Sequence, residues 1–265
     1  MHKVLVVANQ TIAGSALLDA VKQRTTTHDD TRVIICVPRS NPSHGRVIYD
    51  DVVYDAAQIR VDLARNVLRQ EGIDAIGEVG DADAYTATMD AVLEHAPDEI
   101  IISTLPSTLS GWQRRDLVER VAEASGLPVE HVVVDLDAEP LPFHVTLVVA
   151  NRTSSSEQLV GTLKAETRDR GRPELFILVI PQEGSGVTAD RAARGRLRQL
   201  REALAGPTTF AAGMVGDPDP YTATMNALNF FRVDEVVIST FEATRSGWLR
   251  ADLVERVRKA TSQPV

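Results

Sequence analysis

The sequence predicts an α/β fold in two tandem copies, each a doubly wound, mostly parallel-sheet domain of the three-layer, flavodoxin-like kind. Three observations predict it. First, the phrase GDADAYTATMDAV at 80–92 returns as GDPDPYTATMNAL at 216–228, with nine of thirteen positions identical. VLVVANQT (4–11) likewise returns as TLVVANRT (146–153), and SGWQRRDLVERV (110–121) as SGWLRADLVERV (246–257). The anchors keep their order while their spacing shifts from 142 to 136 residues, so a net six residues of length difference lies between the first two anchors. A unit of about 140 residues is domain-sized and far too long for a solenoid repeat. Second, the apolar runs are continuous, as in strands buried on both faces of a parallel sheet. Third, these runs alternate with helical stripes, the pattern of a doubly wound sheet.

The elements follow in order along the first copy. Val4 to Ala8 and Val33 to Val37 are the first two strands. Asp55 to Gln70 carries Ala56, Ile59, Leu63 and Val67 at helical spacing and ends near Gly72. Ile73 to Val79 is a third strand, followed by a helix striped with Tyr85, Met89, Val92, Leu93 and Ala96. Asp83 and Asp219 are placed as N-caps, with Pro220 at the first helical position of the second copy. Glu99 to Ile102 is the fourth strand, Leu117, Val118 and Val121 mark a last helix, and Val132 to Val134 a fifth strand. Leu136 to Phe143, with Pro140 and Pro142, forms a short stiff connector, giving domains over 1–138 and 144–265. Gln263-Pro264-Val265 matches Leu127-Pro128-Val129, so the second domain has a truncated fifth strand and an edge open to association.

Composition bounds the function. The chain is 43% hydrophobic and 25% charged, enough for two cores, with no apolar run of membrane-spanning length. MHKVLVV enters a strand without a signal-peptide pattern, so the cytoplasm is expected and a membrane is not. One cysteine, Cys36 in an apolar run, precludes an internal disulfide and reads as a buried core thiol. A net charge of −9 argues against nucleic acid as a partner. Residues 1–140 hold 12 basic and 23 acidic side chains and residues 141–265 hold 16 and 14, opposite balances that favour self-association of the two domains or of two chains.

The repeated phrases converge on one place. Each is a strand-to-helix corner at the carboxyl edge of its sheet, where open α/β folds bind ligands. Gly80 and Gly216 are expected to permit the turn out of the strand. One crevice per domain is therefore expected, lined by Ala8, Asn9, Val37, Gly80, Asp81, Ser103, Thr104, Ser107 and Ser110 in the first copy. The second is lined by Ala150, Asn151, Gly216, Asp217, Ser239, Thr240, Arg245 and Ser246.

With Val37-Pro38 and Ile180-Pro181 closing the second strand, Gly-Asp closing the third and a loop after the fourth, the chain resembles the universal stress protein family over nearly its whole length. The resemblance implies a tandem member of that family. ATP-binding members carry an Asp after the first strand and a Gly-x-x-Gly, nine residues, Gly-Ser/Thr loop after the fourth. Here Asn9 and Asn151 replace the Asp, while Ser103, Pro106 and Asp116, and in the second copy Ser239, Glu242 and Asp252, stand where the glycines would be. Proline removes an N–H donor, and a carboxylate repels phosphate. The loop is thus expected to be degenerate for ATP, no cofactor is certain, and ATP or AMP remains open through another anion mode. In that mode Ser/Thr hydroxyls, with Arg114 or Arg245, take the place of the glycine amides; ordinary helix capping by Ser110 or Ser246 is the competing account.

Other signals add little. NQT and NRT match a glycosylation acceptor without a secretory signal, EGSGVTAD (183–190) lacks the third glycine of a dinucleotide loop, and no Walker-type lysine loop occurs. The six histidines show no paired helical spacing and no ligand partner along the chain, so no metal site is indicated, and no catalytic residues are identified. Arg191, Arg194, Arg198 and Arg201 form a helix face read as solvated, with docking on Asp50, Asp51 and Asp55 as the alternative. Trp112, Trp248, Tyr85 and Tyr221 are read as packing residues rather than stacking platforms. The expected function is non-catalytic: stress-response interaction or small-ligand sensing, with slow or absent hydrolysis of a bound ATP or AMP as the alternative.

Overall fold

The computed structural model describes residues 1–28, 30–40, 50–106, 112, 116–139, 141–184, 186–241 and 252–265. The chain divides into two compact units, Met1–Asn41 with Ala56–Leu141, and Pro42–Asp55 with Pro142–Val265.

The first unit is built on β1 (His2–Val7), α1 (Ser15–Thr27), β2 (Thr31–Pro38), β3 (Ala75–Gly80), α3 (Ala84–His95), β4 (Glu99–Thr104), α4 (Leu117–Ser125) and β5 (Val129–Val133). Helix α2 (Asp50–Gln70) enters it from residue 56. The strands form one parallel sheet in the order β3-β2-β1-β4-β5. Each apolar run is a strand whose two faces are covered: Val4, Leu5, Val7, Val33, Ile35, Ile100, Ile101 and Ile102 have no exposed surface. Leu5, Val7, Ile34, Cys36, Ile100 and Ile102 pack beneath Ala84, Ala87 and Ala91 of α3 and Leu117 and Val121 of α4. Small alanines on α3 let that helix lie close to the sheet.

The second unit repeats the plan with β6 (His144–Val149), α5 (Glu157–Arg170), β7 (Glu174–Pro181), α6 (Val187–Leu204), β8 (Thr209–Gly216), α7 (Pro220–Phe230), β9 (Glu235–Ile238) and a last helix α8 (Leu253–Ala260). Its parallel sheet has the order β8-β7-β6-β9. The Val236 N–H reaches the Pro264 carbonyl at 2.8 Å, as the Ile100 N–H reaches Pro128 at 2.9 Å, so the final residues begin the pairing that β5 completes in the first unit. Both sheets thus reverse strand order at one point, between β1 and β4 and between β6 and β9.

The caps are as expected. Asp83 accepts from the Thr86 N–H at 3.0 Å, and Asp219 from the Thr222 N–H at 2.9 Å with Pro220 opening the helix. Two elements absent from the sequence reading, α1 and α5, have weak apolar stripes and caps that make no side-chain hydrogen bond, Gly14 and Ser156. No helix of the described residues is long and apolar enough to cross a membrane. Cys36 is fully buried, and burial, then the nearby Glu78 and Asp90 carboxylates, pushes its thiol up to about 12.

Candidate functional site

Each unit brings its first two repeated anchors to the carboxyl edge of its sheet, and the two edges share most of their hydrogen bonds. Ala8 and Ala150 directly follow the first strand of each unit, their N–H groups bonded to the carbonyls of Cys36 (3.3 Å) and Val179 (3.1 Å). The next residue is a buried asparagine. Asn9 donates through Nδ2 to the Pro38 carbonyl at 2.6 Å and to Ser40 Oγ at 3.0 Å; Asn151 donates to the Pro181 carbonyl at 2.9 Å. These asparagines strap the first strand to the second, a task a carboxylate cannot perform because it has no donor. Thr11 and Thr153 make the other strap: their hydroxyls cross the reversal point and donate to the carbonyls of Ser103 (3.3 Å) and Ser239 (3.1 Å).

Gly80 and Gly216 require a correction. Neither has a positive φ, so a left-handed turn is not their reason. A Cβ at Gly80 would stand 2.6 Å from Ala87 Cβ and 2.9 Å from Cys36 Sγ, and one at Gly216 would stand 2.7 Å from Ala223 Cβ and 2.9 Å from Val179 Cγ1. Glycine is needed there for the close approach of α3 and α7. Asp81, exposed, and Asp217, half-buried, accept from the N–H groups of Asp83 (2.9 Å) and Asp219 (2.8 Å), and Asp81 also lies 3.6 Å from Arg39. Their carboxylates hold the corner closed.

The fourth strand brings the hydroxyls. Ser103 and Thr104 are buried at the end of β4, and Val37 is buried near the end of β2 with β1 between the two strands, whereas Ser239 and Thr240 are half-buried. Thr104 Oγ1 lies 2.9 Å from His131 Nε2 on β5. Ser103 Oγ, at 1% exposure, has no hydrogen-bond partner among the described residues, and neither has Asn151 Oδ1, whose residue is 7% exposed. Buried polar atoms are nearly always paired, so these two, one at the carboxyl edge of each sheet, are exceptions. Ser107, Ser110, Arg114, Arg245, Ser246, Glu242 and Trp248 lie outside the described residues.

Asp116 and Asp252, which stand at the last glycine of the resembled loop, both adopt the left-handed region (φ 48°, ψ 41° and φ 50°, ψ 34°). The glycine-like turn is therefore kept without the glycine, at a cost of roughly 1 kcal/mol that Asp tolerates better than most residues. Behind it, Arg120 and Arg256 lie over the rings of Tyr85 and Tyr221 at 4.2 and 4.1 Å, and Trp112 packs against the first core. The tyrosine faces are thus used by α4 and α8. On α6, Arg194 lies 3.0 Å from Asp190 and 3.8 Å from Asp55, which belongs to the same unit; burial raises the Asp55 carboxyl above its usual range while Arg194 opposes the rise.

No family model and no curated protein matches the chain. Among solved structures it is similar to a universal stress protein in complex with cAMP, at 15% identity over 49% of this chain and 96% of that one, with a TM-score of 0.37. It is also similar to a universal stress protein from Archaeoglobus fulgidus DSM 4304, at 14% identity over 98% of this chain and 93% of that one, with a TM-score of 0.36.

Proposed function

We propose that this chain is a tandem universal-stress-type protein that catalyses no reaction of its own and whose two crevices sense a small hydrogen-bonding ligand in a cytoplasmic stress response. The pair of orphaned atoms supports this reading above all. Ser103 Oγ can give and take a hydrogen bond, while Asn151 Oδ1 can only accept one, from an N–H or O–H of the ligand. An acceptor oxygen addresses an amide, amino or hydroxyl group and repels a phosphate. Pro106 and the carboxylates at Asp116 and Asp252 work in the same direction. Self-association, of the domains within the chain and of two chains, belongs to the same proposal.

The alternative is ATP or AMP binding with Ser/Thr hydroxyls in place of glycines, favoured by the left-handed turn retained at Asp116 and Asp252. Thermal unfolding with ATP, AMP or adenosine, each with and without magnesium, separates the two. A ligand at a hundredfold its dissociation constant adds about 2.7 kcal/mol of stability. The leading reading expects no such gain with ATP; a clear upward shift with ATP that Ser103→Ala and Ser239→Ala abolish hands the function to the alternative.

A further inference from the structure

We propose that the first unit carries a divalent metal site, of the zinc kind, formed by Glu78 of strand β3 with Glu94 and His95 at the end of α3. Glu78 lies on β3, an edge strand, on the same side as Gly80 and hence toward α3. His95 is the last residue of α3, and its Nε2 stands 3.1 Å from Glu78 Oε2. One donor atom from each of the three residues lies within 4.8 Å of the others. Ligands about 2.0–2.2 Å from a zinc ion stand roughly 3–3.5 Å apart, so the Glu78–His95 pair is already at that spacing. Glu94 is exposed and free to close the remaining distance by rotation.

Charge supports a cation. Asp90 is one turn before Glu94, and its field, like that of Glu78, reaches Cys36. No lysine or arginine pairs with Glu78, Asp90 or Glu94 among the described residues; the Lys3 ammonium, 2.7 Å from the His95 carbonyl, is one positive charge against these three carboxylates. The negative end of α3 adds to the excess. Imidazole with two carboxylates suits zinc and its first-row neighbours better than calcium or magnesium, and three protein ligands leave a position for water.

The second copy sharpens the point. At the spacing of 136 residues, Glu78, Glu94 and His95 correspond to Met214, Phe230 and Phe231, where Met214 and Phe230 are buried and the two rings lie 6.4 Å apart. The corresponding positions carry apolar side chains in one unit and three ligand-type residues in the other. A lone surface ion pair would need only two polar residues there.

The test uses the full chain, stripped of metal, titrated with Zn²⁺ against a chromophoric chelator and with Co²⁺ by visible absorption. One saturable equivalent per chain is expected, with Glu78→Gln and His95→Gln each weakening it at least about tenfold. The transplant E78M/E94F/H95F is expected to abolish it, and the single conservative variants keep the result interpretable if the transplant does not fold. His28→Gln, which breaks the stacked His2–His28 pair and leaves His95 intact, is expected to leave binding unchanged. Absence of saturable binding, or binding that survives E78Q and H95Q, or binding lost in H28Q instead, overturns the proposal.

Discussion

Ser103→Ala is expected to stabilise the first unit. Ser103 is 1% exposed, and its buried hydroxyl is unpartnered among the described residues, so folding strips it of water without returning a hydrogen bond. That burial costs about 1–3 kcal/mol. Alanine removes the oxygen and leaves a gap of roughly 10–15 Å³, which at ~24 cal/mol per Å³ gives back only about 0.3 kcal/mol. The net gain is about 1–2 kcal/mol, or roughly 3–6 °C for a unit of this size. Two units need not unfold together, so the assay is urea unfolding followed by Trp112 fluorescence in a Trp248→Phe background, where one tryptophan reports on the first copy alone. Thr11→Val, at the same crevice, has the opposite expected sign, because it removes the donor to the Ser103 carbonyl and costs about 1–2 kcal/mol. If Ser103→Ala instead lowers stability by 1 kcal/mol or more at unchanged urea dependence, the hydroxyl has a partner and the case for an orphan at this site collapses. A gain in stability coupled to loss of ligand binding is the signature of a residue kept for function.

Four further outcomes are expected. Asn151→Asp places a carboxylate against the Pro181 carbonyl, so urea unfolding should show a loss of about 2 kcal/mol near neutral pH; the aspartate, its folded pKa raised, protonates more readily and recovers the donor as pH falls, so the loss shrinks in acid. Gly80→Ala and Gly216→Ala drive a methyl into α3 and α7 and should each cost about 1–3 kcal/mol by thermal unfolding, whereas Gly161→Ala, inside α5 with nothing within 4 Å, should stabilise by about 0.5–1 kcal/mol. Cys36, buried and with its thiol raised to about 12, should resist a thiol-reactive dye in the native state near pH 8 and react only at the rate of unfolding; rapid native labelling would contradict its burial. Burial works against the Glu99 charge, but hydrogen bonds and attraction from His2 and Arg24 outweigh it and hold the carboxyl below its usual value of 4.5. Its contribution is therefore present above that value and lost as pH falls through the lower folded one, and Glu99→Gln should flatten the acid limb of a stability–pH curve.

What the sequence determined by itself was whatever is written within a short window or by repetition. Continuous apolar runs announced buried parallel strands, Asp83 and Asp219 announced the helix starts, and the doubled phrases announced two copies of one plan. Helices α1 and α5 escaped because their stripes are weak and their caps make no side-chain hydrogen bond; the run Thr25, Thr26 and Thr27 that ends α1 carries no helical stripe, and its hydroxyls bond carbonyls of the preceding turn. Only the tertiary structure decided what the site residues touch. Asn9 meets a carbonyl 29 residues away, Thr11 one 92 residues away, and Glu78 meets His95 across a strand and a helix. Gly80 is read correctly only once α3 lies against it. Periodicity and capping are decided by neighbours along the chain, whereas these contacts depend on strand order and register, and those are set by which faces of distant elements bury each other.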